Sequence, residues 1–145
     1  MQDMKNITKS RGFTLIEIMV VVVILGILAA YVVPKIMDRP DEARIVKAKQ
    51  DIRALEEALG LYKLDNFNYP STDQGLEALV SKPSGTPEPK RYRAGGYVKG
   101  VSKDPWGNPY QFLSPGSRGD IDLYSLGPDQ QPSDDDIGNW NLDSH

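Results

Sequence analysis

The sequence predicts an α+β chain in which one long N-terminal helix packs on a small antiparallel β-sheet. Three observations predict it. Phe13 to Val33 carries one charge, Glu17, and from Ile18 to Val33 there is no charged, amide or hydroxylated aliphatic side chain. From Ile45 to Tyr62, apolar residues recur every three or four positions, which marks one face of a helix. Near the C-terminus, Tyr110 to Leu113 and Ile121 to Leu126 flank Pro115-Gly116-Ser117-Arg118-Gly119, two strands joined by a hairpin loop.

With 145 residues there is room for one domain of ordinary size. The absence of cysteine excludes disulfides, Cys-ligated zinc, iron–sulfur clusters and a thiol nucleophile. The single histidine, His145, removes a packed Ser-His-Asp triad and any two-histidine metal site. No nucleophile–base pair stands out, so a non-catalytic role is expected. The net charge of −3 gives no global drive toward nucleic acid. Arg91 and Arg93 beside Tyr92 form too small a cluster to supply one, and a solvated loop explains them better.

The elements follow in order. As a helix, Phe13 to Val33 spans roughly 31 Å, the hydrocarbon thickness of a bilayer. The alternative is a buried core helix, but so small a chain cannot surround one on every side. Lys5, Lys9 and Arg11 precede it against Asp3 alone, which places the N-terminus in the cytoplasm and the remainder outside. An ordinary secretory signal is disfavoured because the apolar run continues beyond Ala29-Ala30. Glu17 needs a partner so near the membrane, or else snorkels to the headgroups.

Ile45, Ala48, Ile52, Leu55, Leu59 and Tyr62 form the stripe of the helix's second half, and the charges between them form a solvated face. Together these segments predict one helix from about Phe13 to Leu64, bent at Pro34 and Pro40. Tyr69-Pro70 cannot continue it. Ser71 or Thr72 is expected to cap a short helix through Leu76, Leu79 and Val80, stopped by Pro83. Residues 83–96 are a loop, followed by a short strand at Tyr97-Val98-Lys99. Asp104-Pro105-Trp106-Gly107-Asn108-Pro109 is turn chemistry around an aromatic packing residue. After Arg118 no Lys or Arg remains, while Asp120, Asp122, Asp129, Asp134, Asp135, Asp136 and Asp143 accumulate. A solvated acidic tail is one explanation. Calcium is the other, since closely set carboxylates and loop carbonyls are its oxygen ligands, although the spacing is not an EF-hand.

Arg11-Gly12-Phe13-Thr14-Leu15-Ile16-Glu17-Ile18-Met19-Val20 resembles the class III signal of type IV pilins and pseudopilins. The resemblance implies a leader at 1–12, cut after Gly12 by a prepilin peptidase, and N-methylation of Phe13. It also implies that the new Phe13 amine and Glu17 set register during filament assembly. Physically, positions 13 and 17 lie one helical turn apart on one face.

Further motifs are similar to the heads of major pseudopilins of type II secretion systems. They are Tyr62-Lys63-Leu64-Asp65-Asn66, Tyr69-Pro70-Ser71-Thr72, Asp104-Pro105-Trp106-Gly107, Ser125-Leu126-Gly127-Pro128-Asp129 and Asp135-Asp136-Ile137-Gly138-Asn139-Trp140. The resemblance implies a type IV pilin-like fold. A transmembrane or filament-core helix would occupy 13–34 and a periplasmic head 35–145. Calcium would sit in the loop after the last strand, held by Asp129, Asp135 and Asp136 with the carbonyls of Leu126 and Ser133.

The implied function is a homopolymer in the periplasm that helps drive export of folded proteins across the outer membrane. Its implied partners are minor pseudopilins, an inner-membrane platform with its ATPase, a secretin and the secreted proteins. A type IV pilin or minor pseudopilin is the nearest alternative, though pilins commonly hold this region with a disulfide and this chain has none. A membrane-anchored calcium-binding module that never polymerises is the third reading.

Overall fold

The computed structural model describes residues 12–144, with the side chains of residues 32–40 outside the described set. The leader positions 1–11, including Lys5, Lys9 and Arg11, and His145 lie outside it. Helix α1 covers Leu15–Asn66, two residues off the expected bounds at each end. The bend expected at Pro34 and Pro40 falls among the residues whose side chains are not described. The chain divides after Pro40 into two compact units.

In the first unit every described side chain from Phe13 to Tyr31 is exposed. An apolar surface of this extent cannot rest in water and requires a covering phase or neighbours. Among the described residues no helix is long and apolar enough to cross a membrane. The apolar sequence continues through Val32 and Val33, beyond the described side chains.

In the second unit, Ala48, Ile52, Leu55, Ala58, Leu59 and Tyr62 form the buried face of α1, as the spacing requires. Ile45 is the exception: it was expected to begin the stripe, but it is 37% exposed. The buried face meets Leu76, Ala78, Leu79, Tyr110, Phe112, Ile121, Leu123 and Ile137 in one core. Complete burial of Ile52, Leu59 and Leu123 contributes about 1.5–3 kcal/mol each over exposure. The polar face carries solvated pairs such as Lys47–Asp51 at 2.8 Å.

At the end of α1, Phe67 takes a left-handed conformation and its N–H donates to the Lys63 carbonyl at 2.7 Å. The buried Asn66 amide fastens the following loop to this end. Its Nδ2 donates to the Tyr62 carbonyl and the Tyr97 hydroxyl, and its Oδ1 accepts the Arg91 N–H, each at 2.9 Å.

The short helix is a 3-10 turn, Leu76–Leu79, begun at Gly75 without a side-chain cap. Ser71 caps an earlier turn instead. Its Oγ accepts the Gln74 N–H at 3.2 Å while Gln74 Oε1 accepts the Ser71 N–H at 2.9 Å. The strand expected at Tyr97-Val98-Lys99 does not form. The Tyr97 and Val98 amides both donate to the Leu79 carbonyl, at 2.7 and 3.1 Å, so they hold the 3-10 turn rather than a neighbouring strand. Gly96 permits this approach: it has a left-handed φ of 80°, and a Cβ there would lie 2.5 Å from the Val80 carbonyl oxygen.

The sheet is antiparallel in the order β1-β2-β3, with β1 at Gln111–Leu113, β2 at Asp122–Ser125 and β3 at Ile137–Gly138. The first two lie within the expected strands. The third was not anticipated, because two residues are too few to show an alternating pattern. Gly138 is required there, since a Cβ would meet the Trp140 ring at 2.5 Å. Trp106 is partly buried against the core, the packing role expected of it.

Candidate functional site

Two places carry the chemistry named from the sequence: the start of α1 and the loop after β2. Gly12, Phe13 and Thr14 precede α1 in non-helical backbone, and Phe13 is 80% exposed. The bond between Gly12 and Phe13 therefore lies outside the helix.

Thr14 and Glu17 form a reciprocal capping pair. The Glu17 N–H donates to Thr14 Oγ1 at 3.3 Å, and the Thr14 N–H donates to Glu17 Oε2 at 3.4 Å. The helix N-terminus also favours a carboxylate. This local partner for Glu17 was missed, although its signal, Thr14-Leu15-Ile16-Glu17 before an apolar run, was present. With Gly12 still attached, the Phe13 nitrogen is an amide and not the cationic partner the resemblance implies.

The acidic loop is not a tail after the last strand: it connects β2 to β3. Ser125 pairs with Ile137 across the sheet, so residues 126–136 are pinned at both ends. The structure brings Asp129, Asp135 and Asp136 together on one hydroxyl. Ser133 Oγ lies 3.2 Å from Asp129 Oδ2 and 3.4 Å from Asp136 Oδ1, and it contacts Asp135 Oδ1 most closely.

One O–H can donate to only one of the three, so three like charges share a single proton donor. The Ser133 hydrogen bond, followed by Asp135's own backbone N–H, lowers the Asp135 pKa against a weaker opposing effect of burial. Among the described residues no three acidic side chains are arranged as a ready metal-binding group. The donor chemistry nevertheless suits calcium, with three carboxylates, a hydroxyl and loop carbonyls within one short connection. Ser133 meets the carboxylates through its hydroxyl; its carbonyl accepts the Asp136 N–H at 3.3 Å. Leu126 stands at the entry to the loop, half-buried.

That entry is held by a residue the sequence reading placed only in a turn. Buried Asp104 accepts the Ser125 hydroxyl on Oδ2 at 2.6 Å, and Ser125 Oγ accepts the Gly127 N–H at 3.1 Å. Asp104 Oδ1 also accepts the Trp106 and Asn108 amides at 3.1 and 2.8 Å. One carboxylate thus joins the Asp104–Asn108 turn to the first residues of the acidic loop.

Asp122 has a different task from its acidic neighbours. It is only 2% exposed and organises the β1–β2 hairpin loop. Its carboxylate accepts the Ser117 N–H at 2.8 Å, the Ser117 hydroxyl at 2.7 Å and the Arg118 N–H at 3.1 Å. Burial raises its pKa, but the bonds from Ser117, Arg118 and Gly119 together outweigh burial, and the net shift is downward from 3.8. As pH falls, the unfolded chain therefore takes up this proton first. The stabilisation is complete above the ordinary carboxylate pKa and is lost as pH drops through the lowered one. Asp122→Asn should cost about 1–3 kcal/mol at neutral pH, with the difference from the parent chain shrinking below about pH 4. Urea unfolding at a series of pH values measures it, and a gap independent of pH would contradict it.

Comparison with known proteins places these features in one family. Residues 35–140 match the family described as type II secretion system protein G, and residues 7–33 match the prokaryotic N-terminal methylation motif. Type II secretion system core protein G of Pseudomonas aeruginosa is 64% identical over 133 residues, covering 89% of this chain and 94% of that one. The core protein G of Vibrio cholerae is 59% identical over 143 residues, covering 96% and 97%. The crystal structure of the major pseudopilin from the type 2 secretion system of enterohaemorrhagic Escherichia coli superposes with a TM-score of 0.69 at 52% identity. It covers 73% of this chain and 90% of that one. An N-terminal methylation motif, a long helix and a three-stranded head with an acidic β2–β3 loop thus occur together, and the chain belongs to the type II secretion system protein G family.

Proposed function

We propose that this chain is a non-catalytic major pseudopilin that polymerises into a periplasmic pseudopilus. The single observation that carries this reading is the first half of α1. Its side chains from Leu15 to Tyr31 are apolar but for Glu17 and the Tyr31 tip, and all are exposed, a surface suited first to lipid and then to neighbouring subunits. Residues 1–12 are the leader, removed after Gly12 by the prepilin peptidase, and Phe13 is then N-methylated. Residues 13–34 anchor the subunit in the bacterial inner membrane with its N-terminus cytoplasmic. Residues 35–145 form the periplasmic head.

The freed Phe13 amine supplies a cation for Glu17 of the same or a neighbouring subunit. The present partner of Glu17, a neutral amide at 3.4 Å, is a long and weak contact that such a cation can displace. In the head, calcium supplies positive charge that offsets the mutual repulsion of Asp129, Asp135 and Asp136, with Ser133 and Leu126 completing an oxygen set. Assembly engages minor pseudopilins and the inner-membrane platform with its ATPase. Growth of the filament moves folded proteins toward the secretin.

Intact-mass analysis of the membrane-extracted protein, from cells that contain the peptidase, tests the pathway. The expected mass is that of N-methyl-Phe13 to His145, with filaments visible by electron microscopy. An uncut chain without filaments would support an anchored module that does not polymerise. A chain beginning after Ala30 would indicate ordinary export and overturn the filament reading.

A further inference from the structure

We infer that Asn141 is a positioning residue for the acidic loop, setting how well that loop takes up calcium; the inference rests on the calcium reading above. Asn141 lies past β3, outside the loop and outside the ligand set. Its side-chain amide nevertheless spans the loop's exit. Oδ1 accepts the Gly138 N–H at 2.9 Å, and Nδ2 donates to the Asp136 carbonyl at 2.8 Å. The Asn141 backbone N–H donates to the Gly138 carbonyl at 3.1 Å, which closes the turn that brings the amide back.

Asp136 is consequently fixed from two sides. Ser133 holds its N–H from within the loop, at 3.3 Å, and Asn141 holds its carbonyl from beyond β3. The residue is 7% exposed, and its Oδ1 faces the hydroxyl shared with Asp129 and Asp135. β3 is too short to do this alone. Its two residues give the exit little ladder pairing, and the next side chain, Asn139, extends the pairing with β2 instead. Asn139 Nδ2 donates to the Ile121 carbonyl at 3.0 Å, and its Oδ1 accepts the Leu123 N–H at 3.3 Å. Asn139 therefore maintains strand register, while Asn141 maintains the peptide that carries Asp136.

Three carboxylates that repel one another spread apart unless their backbone is restrained. A restrained loop loses less freedom when a cation arrives. Groups that orient ligands without touching the metal commonly change affinity by 10- to 100-fold when removed.

The C-terminal tail supplies an internal control. Arg53 pairs with Asp143 at 2.7 Å and Lys49 donates to the Ser144 carbonyl at 2.6 Å, which docks the tail on α1 without touching the loop. Loss of that docking affects stability alone.

The experiment titrates calcium chloride into the detergent-solubilised full chain and into its N141A and R53A variants. Melting is followed in calcium and in EGTA. For N141A, calcium affinity should fall at least tenfold, and the calcium-induced rise in melting temperature should shrink more than the EGTA melting temperature falls. R53A should keep the parent's calcium affinity. Parent-like calcium affinity in N141A, or equal losses of melting temperature with and without calcium, would overturn the positioning role alone. Failure of the parent chain itself to bind calcium would overturn the calcium reading and this inference together.

Discussion

Glu17→Ala should leave a cleaved, membrane-inserted subunit that forms no filament. A carboxylate costs roughly 2.5–3.5 kcal/mol at the centre of a membrane helix, less toward its edge, so it persists only with a compensating interaction. The helix start already offers a weak one through Thr14, at 3.3 and 3.4 Å. That pair is complete within a single chain and cannot set the spacing between chains. A cation on Phe13 of a neighbour can, because it recurs once per subunit. Glu17→Gln separates the two roles, since an amide oxygen still accepts the Thr14 N–H but carries no charge. Both variants should fractionate with the membrane, show the mature mass and yield no filaments by electron microscopy. Normal filaments from Glu17→Gln would show that capping, and not charge, is what assembly needs from this residue.

The second large effect concerns calcium. With calcium about 100-fold above its dissociation constant, the head should gain about 2.7 kcal/mol over its chelated state. For a head of this size that is a melting shift on the order of 10 °C. Asp135→Ala should abolish most of this gain. In EGTA the substitution should have little effect, because Asp135 is exposed and gives up only a solvent-facing hydrogen bond with Ser133. Circular-dichroism melts of parent and variant, each with calcium and with EGTA, read both quantities. Equal destabilisation of the variant in the two conditions would remove Asp135 from the calcium site.

Much of the fold was legible because its elements are long or locally marked. α1 announces itself through an apolar run and a stripe from Ala48 to Tyr62, and the hairpin through Pro115 to Gly119 between two apolar segments. Ile45 shows the limit of periodicity: it shares the helix face with Ala48, yet remains partly exposed because a pattern cannot say where the core ends. Tyr97-Val98-Lys99 has strand-like composition, but the Tyr97 and Val98 amides donate to the Leu79 carbonyl at the end of a 3-10 turn. Composition suggested the backbone state and the neighbour decided it.

The candidate site divides in the same way. The sequence by itself determined the Gly12-Phe13 junction, the lone Glu17 in its apolar run, and the accumulation of Asp129, Asp135 and Asp136 near the C-terminus. These are properties of adjacent residues, and local chemistry is enough to state them. Only the tertiary structure decided that the acidic stretch is a β2–β3 connection, that three carboxylates meet at Ser133, and that Asp104 and Asn141 hold its two ends. Asp104 reaches across 21 positions to Ser125, and Ser125 pairs with Ile137 through a two-residue strand. Such contacts leave no periodic trace, because they depend on where the core brings distant backbone together and on which buried polar groups must then find partners.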